Sequence, residues 1–187
     1  MARADLYGLL AALFCAPPSQ ALLDTIGATG TFGESVLEKC WGDLAAAAKH
    51  AQAETVRDEY EQLFIGVGKP EVMLYGSYYL SGFLMEKPLA VLRTDLENLG
   101  LQRSDSVVES EDHIATLCEV MRYLIASDDP VHANIPTQRK FFADHMQVWA
   151  ADLCNALDAH PGAVFYGPVA RLARSFFEIE MQAFDMS

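Results

Sequence analysis

Apolar residues recur at intervals of three and four along almost the whole chain, which is the spacing of α-helices rather than of strands. Near the amino terminus this spacing predicts a buried helix that ends before Pro17 and Pro18, with one face formed by Leu6, Leu9, Leu10, Leu13 and Phe14. The run is too short to span a bilayer, and Phe14 stands where a lipoprotein signal would have a small residue before Cys15. We therefore interpret it as part of a protein core.

The same spacing predicts further helices over residues 34–50, 56–66, 76–100, 110–127, 142–157 and 165–179. Pro88 makes residues 76–100 either one helix with a break or two helices, and residues 142–157 read as part of one long helix. Loops are predicted at 66–75, 101–109 and 128–136, and no stretch shows the sustained alternation of a strand. The predicted fold class is all-α: a single-domain bundle of roughly eight or more helices over residues 1–187.

The net charge of the chain excludes some classes of binding partner. The chain has 26 acidic residues against 13 lysines and arginines, a formal net charge of −13, and 51% of its residues are hydrophobic. Such an acidic chain is a poor ligand for nucleic acid or for an anionic membrane, and the apolar content is that of a globular protein. We expect no nucleic-acid partner, and because no apolar run approaches transmembrane length we expect no integral membrane segment. The acidity favours a basic partner, or it only keeps an apolar protein soluble.

The residue types that build metal sites do not occur at the required spacings. None of the five histidines follows a glutamate by three positions, and neither HExxH nor CxxC is present. No G-x-S-x-G marks a serine nucleophile. We therefore expect no metal and no cofactor, and none of these motifs selects a catalytic residue. The four cysteines are far apart and predict reduced core thiols of a cytoplasmic protein, with a two-disulfide secreted protein as the alternative.

The stretch ESEDHIATLCEVM, residues 109–121, holds the most concentrated polar chemistry. Glu109, Glu111, Asp112 and His113 could form a metal site, an acid and base pair, a polar site for a cationic ligand, or the acidic start of a helix. With Ser110 as N-cap, the next three residues fill the first turn, where carboxylates stabilise the helix dipole. A capping box of Ser106 with Glu109 would begin the helix one turn earlier. Neither arrangement explains the histidine, because a positive charge is unfavourable at that end.

Four segments together resemble a known family. ESEDHIATLCEVM resembles the E-P-x-D-H-x-x-x-x-L-x-x-M signature of the TorD/DmsD redox-enzyme maturation chaperones, which are related to NarJ. EYEQLFIGVGKPEVMLYGSYYL resembles the family stretch E-x-x-x-L-F-x-G-x-G-x-P, which continues into P-x-E-S-x-Y. QRKFFADHMQVW and FYGPVARLARSFFEIE resemble the later segments. Two positions depart from the pattern: Ser110 replaces a proline, and Leu74 and Gly76 replace the proline and glutamate of P-x-E-S.

The resemblance implies an all-α cytoplasmic chaperone that is not an enzyme. Such a chaperone binds the twin-arginine leader, and sometimes the body, of a molybdopterin oxidoreductase catalytic subunit, and assists cofactor insertion before export. It further implies a monomer or a domain-swapped dimer. Asp112 and His113 carry over as peptide-binding residues, with Glu109 beside them, and Tyr75 and Tyr79 as aromatic candidates in the preceding segment.

The residue chemistry suits a leader, since paired arginines favour carboxylates and an apolar segment favours an aromatic groove. Two alternatives share this chemistry. One is a helical adaptor or regulator that binds another basic or amphipathic peptide. The other is a small all-α enzyme that uses Asp112 and His113 as acid and base.

Overall fold

The computed structural model describes residues 3–30, 33–104 and 108–186. These residues form ten α-helices and two π-helical turns, at Glu61–Ile65 and Ala143–Gln147. The helices are α1 Arg3–Cys15, α2 Gln20–Ala28, α3 Val36–His50, α4 Ala53–Tyr60, α5 Gly76–Ser81, α6 Lys87–Asn98, α7 Ile114–Ala126, α8 Ile135–Phe142, α9 Ala150–Asp158 and α10 Tyr166–Asp185. The only β pairing in this part of the chain is an isolated bridge between Tyr75 and His113. The all-α prediction is confirmed.

The backbone forms two compact units. The first contains residues 1–15, 74–150 and 183–187, and its core lies where α1 packs on α7. Fully buried side chains from both helices fill that core: Tyr7, Leu10, Leu13, Phe14, Ile114, Leu117, Cys118, Met121 and Leu124. Burial of these apolar faces is the main stabilising contribution in this unit. The single-domain prediction stays a prediction.

The second unit contains residues 16–73 and 151–182, and α2 packs on α3 within it. Tyr60, Phe64 and Tyr166 form an aromatic cluster, with ring centroids 4.9–5.8 Å apart. A carboxylate on α4 tethers the start of α10, because Glu59 Oε1 accepts the backbone N–H groups of Phe165 at 2.9 Å and Tyr166 at 2.8 Å. These donors have no partner inside the helix, so the carboxylate caps it.

Several helix predictions were wrong in detail. Helix α2 was not predicted. The long helix over 142–157 is interrupted by the π-helical turn Ala143–Gln147, and α9 begins only at Ala150. The helix predicted over 110–127 begins at Ile114. Ile179, which was assigned to the buried face of the last helix, is 42% exposed, because that face runs through Phe176 and Glu180 instead.

The cysteine prediction was partly wrong. All four thiols are free, and Cys118 and Cys154 are buried as expected. However, Cys15 is exposed at the end of α1, and Cys40 is half-buried. Burial raises the pKa of Cys154 to about 12, so this thiol stays protonated and behaves as an apolar core group.

Candidate peptide-binding site

Backbone pairing joins the two segments that carry the sequence motifs. Tyr75 and His113 form an antiparallel bridge. On either side of it, Gly76 N–H donates to Asp112 C=O at 3.0 Å, and Ile114 N–H donates to Leu74 C=O at 2.9 Å. The start of α5 is thereby fixed against the residues that precede α7. The predicted site residues Tyr75, Asp112 and His113 lie together at this junction.

Asp112 connects the two segments through its side chain. Its Oδ2 accepts Ser77 N–H at 2.8 Å, at the start of α5, and its Oδ1 accepts the Ser110 hydroxyl at 2.5 Å. The residue is only 4% exposed. A carboxylate offers about four acceptor positions, so these two donors leave part of its capacity for a further partner. Asp112 therefore has a structural role that the sequence did not reveal.

His113, not Ser110, is the N-cap of α7. Its Nδ1 accepts Ala115 N–H at 3.2 Å, so this nitrogen is unprotonated and the imidazole is an uncharged acceptor. Burial lowers the pKa of His113, although the nearby charges of Glu109 and Asp112 oppose that shift. The Ser110 cap prediction was wrong because its hydroxyl bonds Asp112 instead. Ser106 of the alternative capping box lies outside the described residues.

This arrangement predicts a pH dependence of stability. Because the folded protein binds a proton at His113 less tightly than the unfolded chain does, the stability from neutral His113 is complete above about pH 6.5. It is lost as the pH falls through the lower folded-state pKa. His113→Asn keeps a capping acceptor that does not titrate. Urea denaturation at several values between pH 5 and pH 7.5 should therefore show less acid destabilisation for the variant than for the wild type. Equal pH dependence for the two proteins would contradict the neutral-cap assignment.

Glu109 and Glu111, the other two acidic residues before α7, are paired with side chains from other segments of the protein. The Tyr75 hydroxyl donates to Glu109, and the Tyr75 ring meets the His113 ring edge-on at 5.0 Å. Arg93 on α6 donates to Glu111 Oε2 through Nε at 3.0 Å and through a terminal nitrogen at 2.9 Å. Burial alone would raise the pKa of Glu111, but the hydrogen bonds and charge of Arg93 lower it overall. These pairs hold the segment before α7 in place.

Tyr79 packs against Trp149, which lies beside Gly76 at the start of α5. The two rings stack with centroids 5.4 Å apart and 21° between their planes, while Tyr78 meets Tyr79 edge-on at 5.4 Å. The Trp149 indole N–H donates to His145 C=O at 2.7 Å. A Cβ on Gly76 would come within 2.9 Å of the Trp149 indole nitrogen, so the glycine permits this close packing.

Asp112, Gly76 and Trp149 line a cavity of about 360 Å³ in the first unit. Its polar lining includes two further carboxylates, Asp95 and Asp144, and its remaining lining residues are Ser77, Leu80, Pro88, Val91, Leu92, Leu117, Lys140 and His145. The buried Ser77 hydroxyl has no hydrogen-bond partner among the described residues. A buried hydroxyl without a partner is unfavourable, so this wall suits a ligand that supplies a polar group. The cavity chemistry favours a cationic group beside apolar surface.

Exposed apolar side chains adjoin the cavity. Leu80 and Val91, which line it, are 43% and 58% exposed, and the turn between α5 and α6 exposes Phe83, Leu84 and Met85. We call Leu80, Phe83, Leu84, Met85 and Val91 the apolar strip. An exposed cluster of this kind beside a polar cavity is typical of a peptide-binding surface.

The cavity also contains residues that the sequence analysis did not select. Asp95, Asp144 and Trp149 were missed as site residues, although Asp144 and Trp149 lie in QRKFFADHMQVW, one of the segments that carried the resemblance. No group of three or more metal-binding side chains occurs in residues 3–30, 33–104 and 108–186. Over the same ranges, every helix is too short or too polar to cross a membrane.

Comparison with known proteins identifies the family. The family model described as nitrate reductase delta subunit matches residues 34–155, which include the Asp112–His113 junction and the cavity residues of α6 and α8. The chain belongs to this family. The resemblance to TorD-like and NarJ-like proteins is therefore confirmed.

Two relatives and a solved structure are also similar to this chain. A chaperone protein TorD of Vibrio cholerae is 26% identical over 145 residues, which cover 72% of this chain and 64% of that protein. A chaperone protein TorD of Actinobacillus pleuropneumoniae is 26% identical over 120 residues, which cover 64% of this chain and 59% of that one. The match thus spans less than two thirds of each relative. The crystal structure of a proposed redox enzyme maturation protein from Archaeoglobus fulgidus shares the fold, with a TM-score of 0.63, 18% identity, and 95% and 94% of the two chains covered.

Proposed function

We propose that this protein is a cytoplasmic chaperone that binds the twin-arginine leader, the body, or both, of a molybdopterin oxidoreductase catalytic subunit and assists cofactor insertion before export. We call the cavity lined by Asp95, Asp112 and Asp144 the acidic cavity. The observation that carries the proposal is this cavity beside the apolar strip, in a chain of the nitrate reductase delta subunit family. The chaperone names of the TorD relatives support the same role.

The carboxylates and the apolar strip of the site match the two parts of a leader, its arginines and its apolar segment. The carboxylates of Asp95, Asp112 and Asp144 would receive arginine side chains, because a guanidinium pairs with carboxylates through several donors at once. The apolar strip would cover the apolar segment that follows the arginines. Four of the predicted site residues would mainly stabilise the conformation of this surface: Tyr75, Tyr79, Glu109 and His113.

The enzyme alternative is less well supported. General acid or base catalysis needs a side chain that can exchange a proton with a substrate. The Nδ1 of His113 is engaged as a helix cap, and both Asp112 oxygens accept hydrogen bonds from the protein. These two groups are therefore better suited to positioning than to proton transfer.

Binding of a leader peptide is the direct test. Titration calorimetry with a synthetic twin-arginine leader should give saturable binding, and raising the salt concentration from about 50 to 500 mM should weaken it roughly tenfold, because charge pairing at an open cavity is screened. A peptide with the same composition but with the two arginines separated is the control. Equal affinity for both peptides would favour the adaptor alternative, and no binding of either would contradict leader recognition.

A further inference from the structure

Lys140 on α8 lies among the carboxylates of the acidic cavity. Its ammonium pairs with Asp144 one turn later and lies 4.0 Å from Oδ2 of Asp95. The same Oδ2 is 2.9 Å from Nε2 of His145. Lys140, Asp95 and His145 also line an adjoining cavity of about 210 Å³. Lys140 therefore lines both cavities, beside the carboxylates of Asp95 and Asp144.

The carboxylates retain acceptor capacity beyond these pairs. All contacts described above use Oδ2 of Asp95 and Oδ2 of Asp144, and Oδ1 of either residue has no hydrogen bond or ion pair among the described residues. The Lys140 side chain is 68% exposed, so it can move into water without breaking buried packing. An ion pair of such an exposed lysine is weak, because water screens it and ordering the side chain costs entropy.

A guanidinium fits this cluster better than an ammonium does. Its planar fork offers five donors in fixed directions, so it can pair with two carboxylates at once, whereas an ammonium acts as a compact point charge. The exposed apolar lining at Leu80 and Val91 adds a surface on which an arginine side chain can pack. The cluster therefore favours arginine over lysine as an incoming group.

We propose that Lys140 is a resident counter-ion that occupies the Asp95–Asp144 cluster in the free protein and is displaced by an arginine side chain of a bound peptide. The inference rests on the proposed peptide-binding function and extends it. Lys140 then limits affinity, since its displacement opposes binding. It also contributes to selectivity, since an incoming lysine would only exchange one ammonium for another.

The test compares two charge-matched variants on the same helix. Lys140→Gln removes the resident cation, and Arg139→Gln removes an adjacent exposed cation that does not line the cavity. Affinities are measured by calorimetry for the twin-arginine leader and for the same peptide with citrulline, a neutral analogue, in place of both arginines. Lys140→Gln should tighten binding of the arginine peptide about fivefold, against less than about twofold for Arg139→Gln. Neither variant should change binding of the citrulline peptide.

The outcomes separate the two proposals. If the wild type binds the arginine peptide and both variants shift its affinity equally, only net charge matters and the role of Lys140 is overturned, while leader binding stands. If Lys140→Gln weakens binding, Lys140 contacts the peptide directly and is not displaced. If the wild type binds neither peptide, both the proposed function and this inference fail. Far-ultraviolet circular dichroism checks that each variant is folded.

Discussion

Replacing Glu59 with alanine should lower the free energy of unfolding by about 2–4 kcal/mol. The carboxylate accepts the N–H groups of Phe165 and Tyr166, two residues that are almost fully buried at the start of the 20-residue helix α10. Alanine would leave both donors without a protein partner and would remove a negative charge from the positive end of the helix dipole. Urea denaturation followed by circular dichroism measures the change.

Two controls isolate the capping role. Asp58→Ala removes a neighbouring exposed carboxylate from the same helix, and it should change stability by less than about 0.5 kcal/mol. Glu59→Gln keeps an oxygen where Oε1 accepts from both residues, but it puts an amide NH2 where Oε2 accepts Phe165 N–H at 3.0 Å. It should therefore recover only part of the lost stability. If Glu59→Ala and Asp58→Ala had the same effect, Glu59 would contribute only as a surface charge.

The periodicity predicted most helices because each of them buries a long apolar stripe. Helix α2 was not predicted because it spans nine residues and buries only Leu23 and Ile26. Ser19 is nevertheless a regular N-cap of this helix. The π-helical turns were also missed. A π-helical turn inserts extra residues without changing composition, so the spacing of Phe142, Met146 and Trp149 still matched a regular helix. Local patterns thus predict where helices occur better than where they are interrupted.

The sequence selected some residues of the candidate site but not their contacts. Asp112, His113 and Tyr75 were predicted as candidates, yet the bridge that joins Tyr75 to His113 depends on tertiary structure that no periodicity encodes. For the same reason Asp112 was not recognised as a cap of α5. A charged histidine is unfavourable at the start of a helix. His113 can stand there because burial lowers its pKa and favours the neutral form. Asp95 was missed because one carboxylate on an amphipathic helix resembles an ordinary surface residue.

Replacing Asp112 with asparagine should separate its structural role from its proposed binding role. Asparagine can still accept Ser77 N–H through its oxygen and can donate to the Ser110 hydroxyl, which is free to rotate. The loss of stability should therefore be only about 1 kcal/mol. If Asp112 meets an arginine of the leader in the cavity, the loss of its charge should weaken leader binding by about 2–5 kcal/mol, because that arginine would be left poorly paired.

Asp112→Ala provides the matched comparison, because it removes the hydrogen bonds as well as the charge. It should cost about 2–4 kcal/mol of stability, and its binding defect should be at least as large as that of Asp112→Asn. Denaturation and calorimetry on the same preparations measure both quantities. A folded Asp112→Asn protein with wild-type affinity for the leader would mean that Asp112 does not receive an arginine. Its carboxylate would then serve only to hold α5 against the segment before α7, and Asp95 and Asp144 would be the carboxylates that remain for the ligand.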